Sequence, residues 1–284
     1  MKNIAFRSRI ATIAAAVMAT VLAVAGITLA AAPEAAAQQR NAVIFGDSVI
    51  ADPTGPQWLG GKLGFDSRGS SDVNVWCPTS PTSWGRQAAN RLGLPAWDYS
   101  CSGTVSIQKG PQFASQVTRA VNDGGLNRNT ARVIISTGFN DTYHNDGRDR
   151  AAFRRDWVAA MAPQINRIKA AAPNARIQIV GYPKITWNGN VCLFHIAPNT
   201  HDTTPFAAVA EWEDSIQWAQ VDLARATGVE FLDLKPSTWN NNMCAPDHMR
   251  MWAGLVDFYG GPGHLPIHVN ARGHQHVAGV IAAS

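Results

Sequence analysis

Ala42-Val43-Ile44-Phe45-Gly46-Asp47-Ser48 is the stretch on which the fold turns. Four consecutive apolar residues read as a short strand buried on both faces, and Gly46-Asp47-Ser48 carries the chain out of it. A strand apolar on both faces belongs in a parallel sheet covered by helices, and such sheets hold ligands beyond the carboxyl ends of their strands. Ser48 stands at such an end. Further strands are expected at 132–137, 176–181 and 229–234. Between them run helical patterns. Ser80-Pro81 reads as an N-cap and first residue, followed by Trp84, Ala88 and Leu92 at four-residue spacing and a stop at Gly93. Phe153, Trp157, Met161, Ile165 and Ile168 trace a second face, which Pro163 is expected to kink. Trp212, Ile216, Ala219 and Leu223 trace a third, ending at Gly228, and Asn270 caps a last helix carrying Val277, Val280 and Ile281. The alternation of strand and helix predicts a mostly parallel α/β sheet with helices on both faces.

The chain has 284 residues and opens with Lys2, Arg7 and Arg9 ahead of an apolar run from Ile10 to Ala32 and the small residues Ala35-Ala36-Ala37. This predicts a signal peptide at 1–37, cleaved after Ala37, with a single domain at 38–284 and no membrane span after cleavage. Removing Lys2, Arg7, Arg9 and Glu34 lowers the formal net charge from +4 to +2. A nearly neutral body without a dense Lys/Arg run has no footprint for nucleic acid. Four cysteines in an exported chain point to two disulfides, and sequence proximity favours Cys77 with Cys101 and Cys192 with Cys244. The chain is expected to be extracellular or associated with the cell wall.

Four polar blocks lie at or near the expected rim of the sheet. Gly46-Asp47-Ser48, Ser102-Gly103-Thr104 and Gly138-Phe139-Asn140-Asp141 each have an ordinary reading as turns, and His268 alone reads as a structural histidine. Together, in this order and at these distances, they resemble the SGNH hydrolases, also called GDSL-type esterases and lipases. The resemblance spans nearly the whole chain after the leader, through His268-Val269-Asn270-Ala271-Arg272-Gly273-His274, and is strongest to the secreted, disulfide-bearing bacterial branch. It implies a three-layer α/β/α sandwich with a flavodoxin-like sheet, and a serine ester hydrolase needing no cofactor. Carried over by position, it implies Ser48 as nucleophile and His268 as general base. The Ser48 N–H, the Gly103 N–H and the Asn140 side chain would form the oxyanion hole.

One position departs from the family pattern. The carboxylate that orients the base usually lies three residues before it, and here that residue is Leu265. The reading favoured is a Ser-His dyad in which the Leu265 carbonyl accepts the His268 Nδ1 proton; Asp247 or Asp257 is the alternative. His264, His268, His274 and His276 form the densest histidine cluster, but no zinc motif is present and His274 and His276 point in different directions on a helix. Trp187, Trp239 and Trp252 fall in expected loops and either line a substrate groove or anchor those loops, whereas Trp84, Trp157 and Trp212 are assigned to the core. The expected substrate is a lipid, polysaccharide or small-molecule ester. A non-catalytic carbohydrate- or wall-binding protein on the same fold is the competing function.

Overall fold

The computed structural model describes residues 40–62, 77–261 and 265–284. The expected leader at 1–37 and His264 lie outside them. Five parallel strands form the central sheet: β1 (Asn41–Gly46), β2 (Ala96–Asp98), β3 (Thr130–Ser136), β4 (Arg176–Val180) and β5 (Glu230–Leu232), in the order β2-β1-β3-β4-β5. Val43 pairs with Val133, Ile135 with Ile179 and Val180 with Leu232. Every residue of β1 is buried, as a strand covered on both faces must be.

The two covering layers can be read from β1 itself. Ile44 packs against Gly85 of α2 (Trp84–Arg91), where an added Cβ would come within 2.8 Å of it. Its neighbour Phe45 meets Phe113 of α3 (Phe113–Asn122), ring centroids 5.9 Å apart, on the opposite face. On the first side α7 (Ala271–Ala283) packs on α2; on the second, α5 (Arg150–Ala171) packs between α3 and α6 (Ala207–Thr227). Two short helices flank the site: α1 (Ser48–Ala51) follows β1 directly, and α4 (Phe139–His144) follows β3. Strand order reverses between β1 and β3, so the crevice beyond their carboxyl ends is left uncovered by crossovers.

One helix boundary is corrected. Helix α2 begins at Trp84 rather than at Pro81, because Ser80-Pro81 form a turn closed by Ser83 N donating to Ser80 O at 3.2 Å. The first helical N–H, that of Trp84, is taken by Nδ1 of buried His274 at 3.1 Å in place of a side-chain cap. His274 Nε2 then carries the proton toward Asp52 at 3.2 Å, so this imidazole joins α1, α2 and α7. Helix α5 runs without interruption through Pro163. The disulfides pair Cys77 with Cys101, Cα atoms 4.7 Å apart, and Cys192 with Cys244, 5.1 Å apart. Among the described residues no helix is long and apolar enough to cross a membrane.

Candidate active site

Gly46 leaves β1 with φ near +152°, and a Cβ there would stand 2.0 Å from the Ser136 carbonyl oxygen of β3. Only glycine lets the chain turn this close to the neighbouring strand. Asp47 follows as the cap of α1: its Oδ1 accepts from the Val49 N–H at 3.0 Å and its Oδ2 accepts from the buried Tyr182 hydroxyl. Tyr182 lies just past β4, and its oxygen in turn accepts from the Phe139 N–H at 3.2 Å. One phenol thereby joins the turn after β1 to the turn after β3. Burial pushes the Asp47 carboxyl up to about 6, against the opposing pull of the Tyr182 hydrogen bond.

Ser48 is the first residue of α1 and is 8% exposed, so its hydroxyl is shielded but reachable. His268 Nε2 lies 2.8 Å from Ser48 Oγ, and Nδ1 lies 2.8 Å from the Pro266 carbonyl oxygen. A carbonyl can only accept, so Nδ1 carries the ring proton. In the neutral ring Nε2 is then the acceptor, and the Ser48 hydroxyl donates to it. The carbonyl in place is that of Pro266, not that of Leu265. Its position follows from Ile267, whose φ of +54° puts a left-handed turn between Pro266 and His268, a conformation β-branched residues rarely adopt. Asp247 and Asp257, the alternative partners, both bind Arg250 instead: Asp247 Oδ1 accepts from its Nε at 3.0 Å and Asp257 Oδ1 from its Nη2 at 2.7 Å.

The segment carrying His268 is held by a second backbone stretch. Ala253 N donates to His268 O at 2.8 Å, Ile267 N to Gly254 O at 3.0 Å, and Asn270 N to Met251 O at 2.9 Å. Asn270 also caps α7, its Oδ1 accepting from Gly273 N at 3.0 Å, while its amide donates to Arg250 O at 3.0 Å. The base therefore sits between a helix cap and a buried arginine.

Asn140 stands in the first turn of α4 rather than in an Asx-turn. Its Nδ2 donates to Thr104 O at 2.9 Å and its Oδ1 accepts from the Tyr143 hydroxyl at 3.0 Å, which fixes the amide and leaves a second Nδ2 hydrogen. Two residues with no role assigned from sequence hold the Gly103 loop against it. Asp141 accepts from Ser106 N at 2.9 Å, Ile107 N at 3.2 Å and Trp157 Nε1 at 3.0 Å. Gln116 accepts from Gly46 N at 2.9 Å and donates to Gly46 O at 2.8 Å and Thr104 Oγ1 at 2.7 Å. The left-handed φ of +78° at Gly103 shapes the same turn. Tyr182 could have been found by inspecting the residues after every strand, since it follows β4; Gln116, in the middle of a helix, carries no such signal.

Ser48, Asn140 and His268 line one cavity of about 310 Å³. Its inner end is formed by the buried side chains of Ile185, Val191, Met243 and Trp252, and its rim by the exposed Tyr143, Phe206 and Ile267. Of the three loop tryptophans, Trp252 lines this cavity, whereas Trp187 and Trp239 are exposed elsewhere. Trp212, assigned to the core from its helical spacing, instead forms part of the cavity wall and donates through Nε1 to Asp146 at 2.8 Å. His276 is set apart from the site, its Nε2 3.0 Å from Ser237 Oγ.

Comparison with known proteins places this geometry in context. A family model described as the GDSL-like Lipase/Acylhydrolase family matches residues 44–276. A search of curated proteins finds no match. Among solved structures, the chain is similar to an extracellular lipase from Streptomyces rimosus, with 19% identity, 86% of this chain and 99% of that one covered, and a TM-score of 0.57. It is similar also to a phospholipase A1 from Streptomyces albidoflavus (16% identity, 86% and 99% covered, TM-score 0.56). A third is a carbohydrate esterase family 2 enzyme from Corynascus thermopiles (20% identity, 88% and 67% covered, TM-score 0.52). At these identities the likeness is one of fold.

Proposed function

Given that the chain belongs to the GDSL-like Lipase/Acylhydrolase family and is a carboxylic ester hydrolase, we propose that it cleaves its substrate through an acyl-enzyme on Ser48. The observation that carries this reading is the 2.8 Å contact between Ser48 Oγ and His268 Nε2 at the mouth of a cavity that Asn140 also lines. The Ser48 hydroxyl gives its proton to Nε2 as Oγ attacks the ester carbonyl carbon. The tetrahedral oxyanion is received by the Ser48 N–H, the Gly103 N–H and the remaining Nδ2 hydrogen of Asn140. His268 then protonates the departing alcohol. In the second half, water gives a proton to Nε2 and its oxygen attacks the acyl carbon; as the C–Oγ bond breaks, His268 returns that proton to Ser48 Oγ and the carboxylic acid leaves. Throughout, the Pro266 carbonyl holds the ring by its Nδ1 proton, in the place a carboxylate takes in a triad.

The substrate is a carboxylic ester of lipid or acetylated-polysaccharide type, and no cofactor takes part. The nucleophile-base contact and the fixed Asn140 amide support hydrolysis over the carbohydrate-binding alternative, which rested on the missing acid alone. Export after cleavage at Ala37, with the body from 38 as a single domain, is supported by the two disulfides, which persist in oxidising compartments. The test is hydrolysis of p-nitrophenyl acetate, butyrate and palmitate by wild type and Ser48→Ala. Turnover by the wild type that falls by at least about 10³-fold in a folded Ser48→Ala supports the reading. Equal turnover in the two excludes it.

A further inference from the structure

The cavity beside Ser48 has one polar end and one apolar end. Ser48, Asn140 and His268 stand at the polar end, while Val191, Leu193, Val209 and Met243 are among the residues that enclose the rest. That enclosure is built rather than incidental. Val191 and Leu193 flank Cys192, Met243 precedes Cys244, and the disulfide ties the two segments together with Cα atoms 5.1 Å apart. Met243 N donates to Ile185 O at 2.9 Å, and Leu193 O accepts from Leu255 N at 2.7 Å. Asn190–Val191 pairs with Thr204–Pro205, and Phe194–His195 with Val256–Asp257. Val191 and Leu193, at the start of the loop 191–204, are therefore a tied part of the cavity wall. A sugar ring would leave its hydroxyls without partners against such a lining, whereas an aliphatic chain loses nothing there.

The direction of the chain follows from the reaction. The alcohol takes its proton from His268 Nε2 and departs past that ring, which is half-buried and flanked by the exposed Pro266 and Ile267. The acyl group stays bonded to Ser48, beside the apolar lining of the cavity. We propose that this cavity is an acyl pocket for an unbranched aliphatic chain of about six to ten carbons, so that the ester cleaved is a medium-chain lipid-type ester and not an acetylated polysaccharide. The size of the cavity, about 310 Å³, suits a chain of this medium length rather than a single acetyl group. This inference rests on the acyl-enzyme reading above.

The experiment is a series of p-nitrophenyl esters from acetate to palmitate, with a second series of octanoates and acetates carrying longer alcohols, run on wild type and Val209→Trp. Each added acyl methylene that enters the pocket should raise kcat/KM roughly fourfold, with a maximum between six and ten carbons and a fall beyond. Val209 lies near the start of α6 on the cavity wall, and tryptophan there fills part of the space. The octanoate-to-acetate ratio of kcat/KM should fall at least tenfold in that variant, the ratio within one protein cancelling any general loss. A wild type labelled at Ser48 by a small phosphonate but preferring acetate overturns the pocket and leaves the hydrolase standing. So does a rate that follows the alcohol and not the acyl chain, or a ratio unchanged in Val209→Trp. No turnover on any ester and no label on Ser48 overturns the acyl-enzyme reading and this inference with it.

Discussion

Asn140 has both of its amide atoms engaged, Nδ2 by the Thr104 carbonyl and Oδ1 by the Tyr143 hydroxyl, so the hydrogen it offers to an oxyanion costs no reorientation when charge develops. Asn140→Ala should lower kcat for p-nitrophenyl butyrate by about 10² to 10³-fold with KM little changed. A loss confined to KM would remove the residue from the oxyanion hole. Asp47, one residue before the nucleophile, makes a different demand. The folded chain holds its proton more tightly than the unfolded chain does, because burial lifts the carboxyl from the usual 3.8 to about 6. Its contribution to stability is fully present below pH 3.8 and is lost as pH rises through about 6, to a limit of about 3 kcal/mol. Urea unfolding of wild type and Asp47→Asn should therefore diverge from pH 4 to pH 7, the wild type losing stability relative to the variant. Parallel curves would show that Asp47 does not titrate in that window. Ser48, Asn140 and His268 are legible in the sequence because each stands at the end of a strand or before a helix cap, inside a short motif. The Pro266 carbonyl is not, because its position depends on a left-handed isoleucine that residue type argues against. Gln116 acts across 70 residues of chain from the middle of a helix, and pattern within a window does not reach that far, whereas Tyr182, which acts across 135 residues, is marked by its place after β4.

Among the elements, the stretch Met251–Gly254 matters more to the site than its lack of regular structure suggests. It lies alongside Ile267–Asn270 and is fixed from beneath by Arg250, a fully buried side chain whose guanidinium is shared by Asp257 and Asp247 and which also donates to Trp252 O at 3.0 Å. Burial opposes ionisation of Asp257, yet hydrogen bonds from Arg250 and from the Gly254 and Tyr259 backbone hold its carboxyl down to about 2. Arg250→Met should cost about 3 to 5 kcal/mol, because it leaves buried carboxylate charge without its cation, and kcat should fall as His268 loses its support. A thermal melt paired with butyrate turnover checks both; an unchanged kcat in a folded variant would separate the base from this platform. On the other side, Gly273 lets α7 approach, since a Cβ there would stand 2.6 Å from Met251 O. The long helices α5 and α6 follow from their apolar spacing alone. The elements that do not are short: β2 is a three-residue edge strand with an exposed Trp97, and α4 has six residues. Helix α3 carries Phe113, Val117 and Ala120 at helical spacing, but Gln112 makes no capping hydrogen bond that would mark its start.

The body from Arg40 to Ser284 is built on a sheet covered on both faces, whose reversal between β1 and β3 opens the crevice where Ser48 and Asn140 meet, and into which the chain returns His268 from 220 residues away. Two disulfides close loops of 24 and 52 residues within this body, and on a chain-entropy account they contribute roughly 3.5 and 4 kcal/mol. Reduction should lower the unfolding temperature in two separable steps in the Cys77→Ser/Cys101→Ser and Cys192→Ser/Cys244→Ser variants. An unchanged melt after reduction would mean that the rest of the fold carries the stability unaided. That this architecture serves a covalent step at one serine is the account's central claim. The measurement that tests it most directly is mass spectrometry of the wild type after exposure to a p-nitrophenyl alkylphosphonate, with peptide mapping of the adduct. The account predicts one phosphonyl group, on Ser48, with loss of ester turnover in proportion to labelling and no adduct in Ser48→Ala. A folded chain that turns over esters while its phosphonate adduct maps to any other residue would contradict it.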